Sequence, residues 1–326
     1  MEVLMRTRRV EHTDRTQFFD DTVNGLQSVP KHLDSKYFYD AEGDKLFQQI
    51  MDCDEYYLTN CEMEIFTQQT ETLANVVMDG SAFDLIELGA GDATKSSHLL
   101  RELLRQQAEF TYMPIDISSH IISHLNATLP LSLPGLKIKG LNGEYFHMLS
   151  KAAKISNRRK VVLFMGANIG NMPPASALHF CQEMRKHLSP GDMVVIGFDL
   201  KKNPETVLAA YNDKSGITKR FNLNLLTRIN RELGADFNLN CFKHYATYDP
   251  ESGACKSYLI SLKEQTVRIP DGPTISFDEN EYISMEISQK YTLAQAADFA
   301  TQSGFEPLLN FTDSKEWFID AVWVAE

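Results

Sequence analysis

Phe83-Asp84-Leu85-Ile86-Glu87-Leu88-Gly89-Ala90-Gly91 runs an apolar segment straight into a turn of small residues. A short apolar run of this kind suits a buried strand. Glycine lacks a Cβ and tolerates positive φ, so the turn lets backbone approach a ligand closely. A helix is expected from about Thr94, with Leu99, Leu100, Leu103 and Leu104 on one face. Strand, turn and helix together aim the first N–H groups of the helix outward, as a ligand loop does. A tight strand-to-helix turn with no ligand would carry the same letters. A dinucleotide loop would read G-x-G-x-x-G, and here the third position is Thr94. A pyrophosphate grip is therefore disfavoured.

Further strands are expected at residues 110–117, 137–141, 160–165 and 193–198, with a helix around 175–187. Strands alternating with helices imply a parallel sheet with right-handed crossovers. Residues 292–302 read as a helix, and 305–311 and 317–324 as two strands joined by Thr312-Asp313-Ser314-Lys315. An α/β core with that ending suits the class I, Rossmann-like sheet of S-adenosylmethionine methyltransferases. That cofactor has no phosphate and needs only the loop. Residues 201–290 are too many for one crossover. They hold Tyr211, a helical pattern through Arg231-Glu232-Leu233, and strand-like stretches at 241–248 and 257–263. The expected division is a core of 61–200 plus 291–326 and a substrate-binding lobe of 1–60 plus 201–290. The lobe is expected over the carboxyl ends of the strands, where open α/β sheets bind ligands.

The chain has 326 residues, 43% of them hydrophobic, and a formal net charge of -12. An acidic balance argues against nucleic acid, which needs a concentrated basic surface. The run Arg6-Thr7-Arg8-Arg9 reads as a solvated tail. Five scattered cysteines, Cys53, Cys61, Cys181, Cys241 and Cys255, form no C-x-x-C pair and no zinc spacing. They read as reduced thiols, and no metal is expected. No apolar run suggests a signal peptide or a membrane span. A soluble, cytoplasmic, monomeric protein is expected, with a small-molecule partner.

Asp116 at the end of the second strand suits a carboxylate accepting both ribose hydroxyls, or a helix cap before Ile117-Ser118-Ser119. Glu144 and Tyr145 after the third strand would frame an adenine, although Glu144 equally suits a surface.

The chain resembles the histidine-specific N-α-methyltransferases of ergothioneine biosynthesis over nearly its whole length. The resemblance rests on Lys36-Tyr37-Phe38-Tyr39-Asp40, Glu55-Tyr56-Tyr57-Leu58-Thr59, and Glu87-Leu88-Gly89-Ala90-Gly91 with Lys95. It continues through Gly166-Ala167-Asn168-Ile169-Gly170-Asn171, Ala210-Tyr211, Phe221-Asn222, Asn230-Arg231-Glu232-Leu233 and Glu286-Ile287-Ser288. It implies that Gly89, Ala90, Gly91, Lys95, Asp116, Glu144 and Tyr145 line an S-adenosylmethionine site, with Tyr39 beside it. It implies that Asn171 and Tyr211 hold a substrate carboxylate, and that Tyr39 and Tyr56 sit near the reacting amine as the catalytic pair. Glu286 and Ser288 would read an imidazole, with Phe221 packed beside the ring. Four departures stand out. The loop has Ala90 where the family commonly has serine, the longer Glu144 stands where the family often has aspartate, Asn168 stands in place of threonine, and Lys256-Ser257 replaces Glu-Met near the ring.

The residue types suit the chemistry. Methyl transfer from a sulfonium is an in-line displacement, to which an enzyme contributes mainly positioning. A neutral amine needs only a hydroxyl or water to accept its proton. A quaternary ammonium product favours aromatic walls, and an imidazole offers two nitrogens to a carboxylate and a hydroxyl. The expected product is the trimethylated betaine of L-histidine, hercynine. Alternatives are a relative acting on another aromatic amino acid or an indole amine, a cofactor-binding protein without activity, and a dehydrogenase. Glu286 speaks against a plain phenyl substrate, and the missing third glycine against the dehydrogenase.

Overall fold

A computed structural model describes residues 2–326, with side chains from Arg15 onward. The run Arg6-Thr7-Arg8-Arg9 lies outside the described side chains. In chain order the strands are β1 (Phe83–Leu88), β2 (Phe110–Asp116), β3 (Leu141–Asn142), β4 (Arg159–Phe164) and β5 (Met193–Asp199). There follow β6 (Phe242–Tyr248), β7 (Ala254–Ser261), β8 (Gln265–Arg268), β9 (Thr274–Phe277), β10 (Tyr282–Gln289), β11 (Phe305–Thr312) and β12 (Phe318–Ala325). The chain divides into two compact units. The sheet unit is Leu58–Lys202 with Gln289–Glu326, and the second unit is Met1–Tyr57 with Asn203–Ser288.

The sheet unit holds a seven-stranded sheet in the order β11-β12-β5-β4-β1-β2-β3. β1 runs parallel to both β2 and β4, so Phe83 faces Phe110 on one side and Arg159 on the other. The strand order reverses between β1 and β4, which makes their carboxyl ends the switch point of an open α/β sheet. β12 runs antiparallel to β5 and to β11. Every residue of β1 and β5 is buried, as expected where both faces of a parallel sheet are covered. Ile86, Met113, Val162, Phe164, Val194 and Ile196 form the centre of the core. Each such side chain contributes about 1.5–3 kcal/mol on full burial. The helix Leu293–Gln302 starts on a capping box: Thr292 accepts the Gln295 N–H, and Gln295 accepts that of Thr292.

The third strand departs from expectation. Residues 137–139 contribute only a bridge, in which the Tyr112 N–H donates to Lys137 and the Lys139 N–H to Tyr112. Gly140 then turns its N–H to the Asn126 side chain at 3.0 Å. The ladder breaks there, and β3 itself is Leu141–Asn142.

The second unit is organised on the helix Ile217–Leu233, whose Phe221, Leu225, Leu226, Ile229 and Leu233 are buried at helical spacing. Asp213 supports the start of that helix by accepting the Ile217 and Thr218 N–H groups at 2.8 and 2.7 Å. A three-stranded sheet, β10-β7-β6, and the pair β8-β9 complete the unit. β6 begins on strict in-out alternation, the mark of a sheet packed on one face.

Candidate functional site

In the sheet unit, the turn after β1 is held by two backbone bonds. The Gly89 N–H donates to the Ile115 carbonyl at 2.9 Å, and the Ala90 N–H to the same oxygen at 3.3 Å. Gly89 has φ +71°, and a Cβ there would lie 2.8 Å from the Tyr145 hydroxyl. Only glycine allows that approach. The Gly91 N–H donates to Asp116 Oδ2 at 3.3 Å, and the Ser118 N–H to Asp116 Oδ1 at 2.8 Å. Asp116 is thus oriented by two backbone donors at the end of β2, with lone pairs left for hydroxyl donors. It is not the cap of the helix Ser119–Ser132; Ser118 is, accepting the Ile121 N–H.

Tyr145 opens the helix Tyr145–Ala153, its ring edge-on to Phe164 and Phe180 at 6.0 and 6.2 Å. Burial pushes its hydroxyl up to about 12, with Asp116 and Glu144 adding to the shift. Glu144 precedes that helix, is exposed and makes no capping bond. Asn171 ends the short 3-10 helix Asn168–Asn171 after β4 and lies 3.5 Å from Asn168 Oδ1. It does not cap the next helix, where Pro173 holds that position.

Lys95 precedes the helix Ser96–Arg105 and pairs with Glu62. Burial alone would pull its ammonium down. The charge and hydrogen bond of Glu62 reverse that, leaving it above the usual lysine value. Glu87, one residue of the loop motif, lies fully inside and accepts the Tyr112 hydroxyl. Burial pushes its carboxyl up to about 7, against the pull of Tyr112 and Ser96.

In the second unit, aromatic side chains from separate segments converge. Tyr39 stands edge-on to Phe47 at 5.5 Å and to Phe221 at 5.7 Å. Phe47 lies 5.9 Å from Phe221 and 6.4 Å from Tyr56, and Tyr56 lies 6.2 Å from Tyr211. The Tyr211 hydroxyl is 2.6 Å from Ser288 Oγ. Tyr39 keeps 43% of its surface exposed. Its neighbour Asp40 fixes its place by capping the helix Ala41–Met51 through the Gly43 N–H at 2.7 Å. Asn224 and Arg231 donate to the same carboxylate at 2.8 and 2.7 Å. Along β10 the in-out alternation holds from Tyr282 to Met285 and lapses at Glu286 and Ile287, both half-buried, before buried Ser288. Ser257 is buried on β7, the strand next to β10.

The structure therefore gathers Tyr39, Tyr56, Tyr211, Phe221 and Ser288 in one unit, with Glu286 on the strand of Ser288. Gly89, Ala90, Gly91, Lys95, Asp116, Glu144, Tyr145 and Asn171 belong to the other. Tyr211 and Ser288, expected at opposite ends of a substrate, are hydrogen-bonded to each other. Sequence reasoning missed Glu62, and it missed that Asp40, Asn224 and Arg231 form one cluster; nothing local pairs residues so far apart. Among the described residues, no group of His, Cys, Asp and Glu is arranged to hold a metal ion, and no helix is long and apolar enough to cross a membrane. All five cysteines are free thiols.

Residues 18–325 match the family model described as histidine-specific methyltransferase, SAM-dependent. The chain is 31% identical to a histidine N-alpha-methyltransferase of Mycolicibacterium smegmatis, with 90% of each chain covered. It is 32% identical to the enzyme of that name from Mycobacterium tuberculosis, with 83% of each covered. It is 30% identical to ergothioneine biosynthesis protein 1 of Neurospora crassa, over 88% of this chain and 32% of that longer one.

Proposed function

The chain belongs to the histidine-specific, SAM-dependent methyltransferase family, and on that premise we propose that it methylates the α-amine of L-histidine, ending at the trimethylated betaine. The reading rests above all on one observation: the family match runs from residue 18 to residue 325 and so spans both residue sets. The Gly89 turn, which leaves no room for a Cβ, and the oriented Asp116 fit a cofactor that has a ribose and no phosphate.

When bound, S-adenosylmethionine supplies a methyl group on a sulfonium. Asp116 accepts the ribose hydroxyls, and Tyr145 with Glu144 frames the adenine. Asn171 and Tyr211 donate to the amino-acid carboxylate. Glu286 accepts an imidazole N–H while Ser288 meets the other nitrogen, and Phe221 packs beside the ring. Tyr39 and Tyr56 stand by the amine, where a hydroxyl or water takes its proton before attack. Rings of Tyr39, Phe47 and Tyr56 tolerate the growing cationic head, because aromatic faces attract quaternary ammonium. Fixed geometry supplies most of the rate, since the displacement is in line.

A second reading, another aromatic amino acid or an indole amine, draws on Ser257. Ser257 is small and buried on the strand beside β10, where the family pattern has a larger residue. The test is incubation with S-adenosylmethionine and each amino acid, followed by product masses. Histidine carrying one, two and finally three added methyl groups is expected. Preference for another amino acid overturns the substrate, and arrest at one methyl overturns the betaine.

A further inference from the structure

The helix Tyr57–Gln68 carries a buried acidic residue: Glu62 is 1% exposed. Its two oxygens have different tasks. Oε1 accepts the Gly166 N–H at 2.7 Å, in the turn after β4, and Oε2 accepts the Lys95 ammonium, in the turn after β1. One carboxylate thus ties together the turns that follow the two strands flanking the switch point. A Cβ built on Gly166 would lie 3.7 Å from Lys95 Nζ, so the ammonium sits over that turn.

The slot for this carboxylate is built into the sheet. A Cβ at Gly197 on β5 would lie 2.8 Å from Glu62 Oε1. Glycine at that point keeps the space the carboxylate occupies. Asp320 of β12, paired across the ladder with Gly197, is fully buried and has no hydrogen bond of ordinary geometry at either oxygen. Burial and the nearby Glu62 hold the Asp320 carboxyl well above the usual carboxylate range. Lys95 pairs with Glu62, whose charge and hydrogen bond act on the ammonium more strongly than the charges of Asp320 and Glu87. An ammonium has three N–H groups, and the pair with Glu62 occupies one of them.

We propose that Glu62 is a positioning residue for cofactor binding, which acts through Lys95 and the Gly166 turn and aims the Lys95 ammonium at the carboxylate of the cofactor's methionyl end. The inference rests on the reading of this crevice as the S-adenosylmethionine site. Glu62 itself touches neither substrate nor cofactor. It fixes where a cation stands, and a cation on a flexible four-carbon stem binds a carboxylate well only when its position is fixed beforehand. Removing its negative charge while keeping its shape frees Lys95 to move.

The test is calorimetric titration of S-adenosylhomocysteine into wild type, Glu62→Gln, Lys95→Met and the double variant, with thermal melting to establish that each is folded. Glu62→Gln is expected to raise the cofactor Kd about tenfold, and to leave the KM for histidine within about twofold of wild type. Once Lys95→Met is present, Glu62→Gln should add less than about threefold, because the two changes remove one interaction. A Kd for Glu62→Gln within about twofold of wild type, or independent multiplication of the two effects, overturns the inference. A purely structural role would lower the melting temperature and leave the affinity unmoved, which overturns it equally. Should Glu62→Gln fail to fold, Gly197→Ala decides. Its methyl would press on the glutamate and on the Phe318 ring, so the same rise in Kd is expected in a protein that still melts cooperatively, and an unchanged Kd refutes the proposal. Wild type that binds no S-adenosylhomocysteine sinks the cofactor reading itself, whereas normal wild-type binding with unmoved variants sinks only the role of Glu62.

Discussion

The turn after β1 and the aromatic cluster of the second unit are built on opposite plans. The first is largely backbone. Gly89, Ala90 and Gly91 follow one strand directly, their N–H groups meet the end of the next, and Asp116 is oriented by two main-chain donors. The second is side chain throughout. Tyr39, Phe47, Tyr56, Tyr211, Phe221 and Ser288 come from separate places in the chain and meet as rings and hydroxyls. The difference teaches where each site is vulnerable. Backbone sites tolerate side-chain change except where a Cβ or a buried charge intrudes. Side-chain sites change their preference with a single substitution.

The largest expected effect tests whether the first plan conceals a buried charge. Glu87 is raised from 4.5 to about 7 by burial. A carboxyl whose folded pKa lies above its unfolded one stabilises fully below the unfolded value and loses that contribution as pH rises through the folded one. Wild type should therefore lose roughly 3 kcal/mol relative to Glu87→Gln between about pH 4.5 and pH 7.5, at 1.36 kcal/mol per unit. Melting curves of both proteins across that window check this. Parallel profiles would mean that Glu87 is not held protonated.

A somewhat smaller effect bears on the second plan. If Glu286 meets an imidazole N–H, the charge-assisted bond is worth about 1.5–3 kcal/mol. Glu286→Ala should then cut kcat/KM for histidine by one to two orders of magnitude and narrow its preference over tryptophan. The ratio of the two efficiencies is the measurement. A ratio that stays put removes Glu286 from ring recognition and leaves methyl transfer untouched.

The smallest effect separates the two regions most cleanly. Tyr211→Phe deletes the hydroxyl that lies 2.6 Å from Ser288 Oγ. A hydrogen bond of about 0.5–1.5 kcal/mol corresponds to a two- to tenfold rise in the KM for histidine. The Kd for S-adenosylhomocysteine should not move if Tyr211 serves the amino acid, as proposed. A shift of both constants together would break the separation between the two regions.

Much of the first region was legible from letters alone. The apolar run 83–88 became β1 within the expected bounds, and the helix expected near Thr94 begins at Ser96. The helix expected at 292–302 from the spacing of Leu293, Ala296, Ala297 and Ala300 runs from Leu293 to Gln302. Residues 137–141 misled because β propensity says nothing of a partner: the Gly140 N–H turned to Asn126, and the ladder broke there. Glu62 gave no signal, since an acidic residue on a helix looks solvated until Gly166, Lys95 and Gly197 surround it.

By itself, the sequence determined the alternation of strands and helices, the phosphate-free loop and the family resemblance. Each of those depends on residues that are neighbours along the chain or on motifs read as whole words. Only the tertiary structure decided that Glu62 bridges two turns, that Asp40 is clamped by Asn224 and Arg231, and that Tyr211 meets Ser288. Those pairings join residues tens to hundreds of positions apart. Their ends come together only when burial of the two cores outweighs the entropy of closing the loops between them.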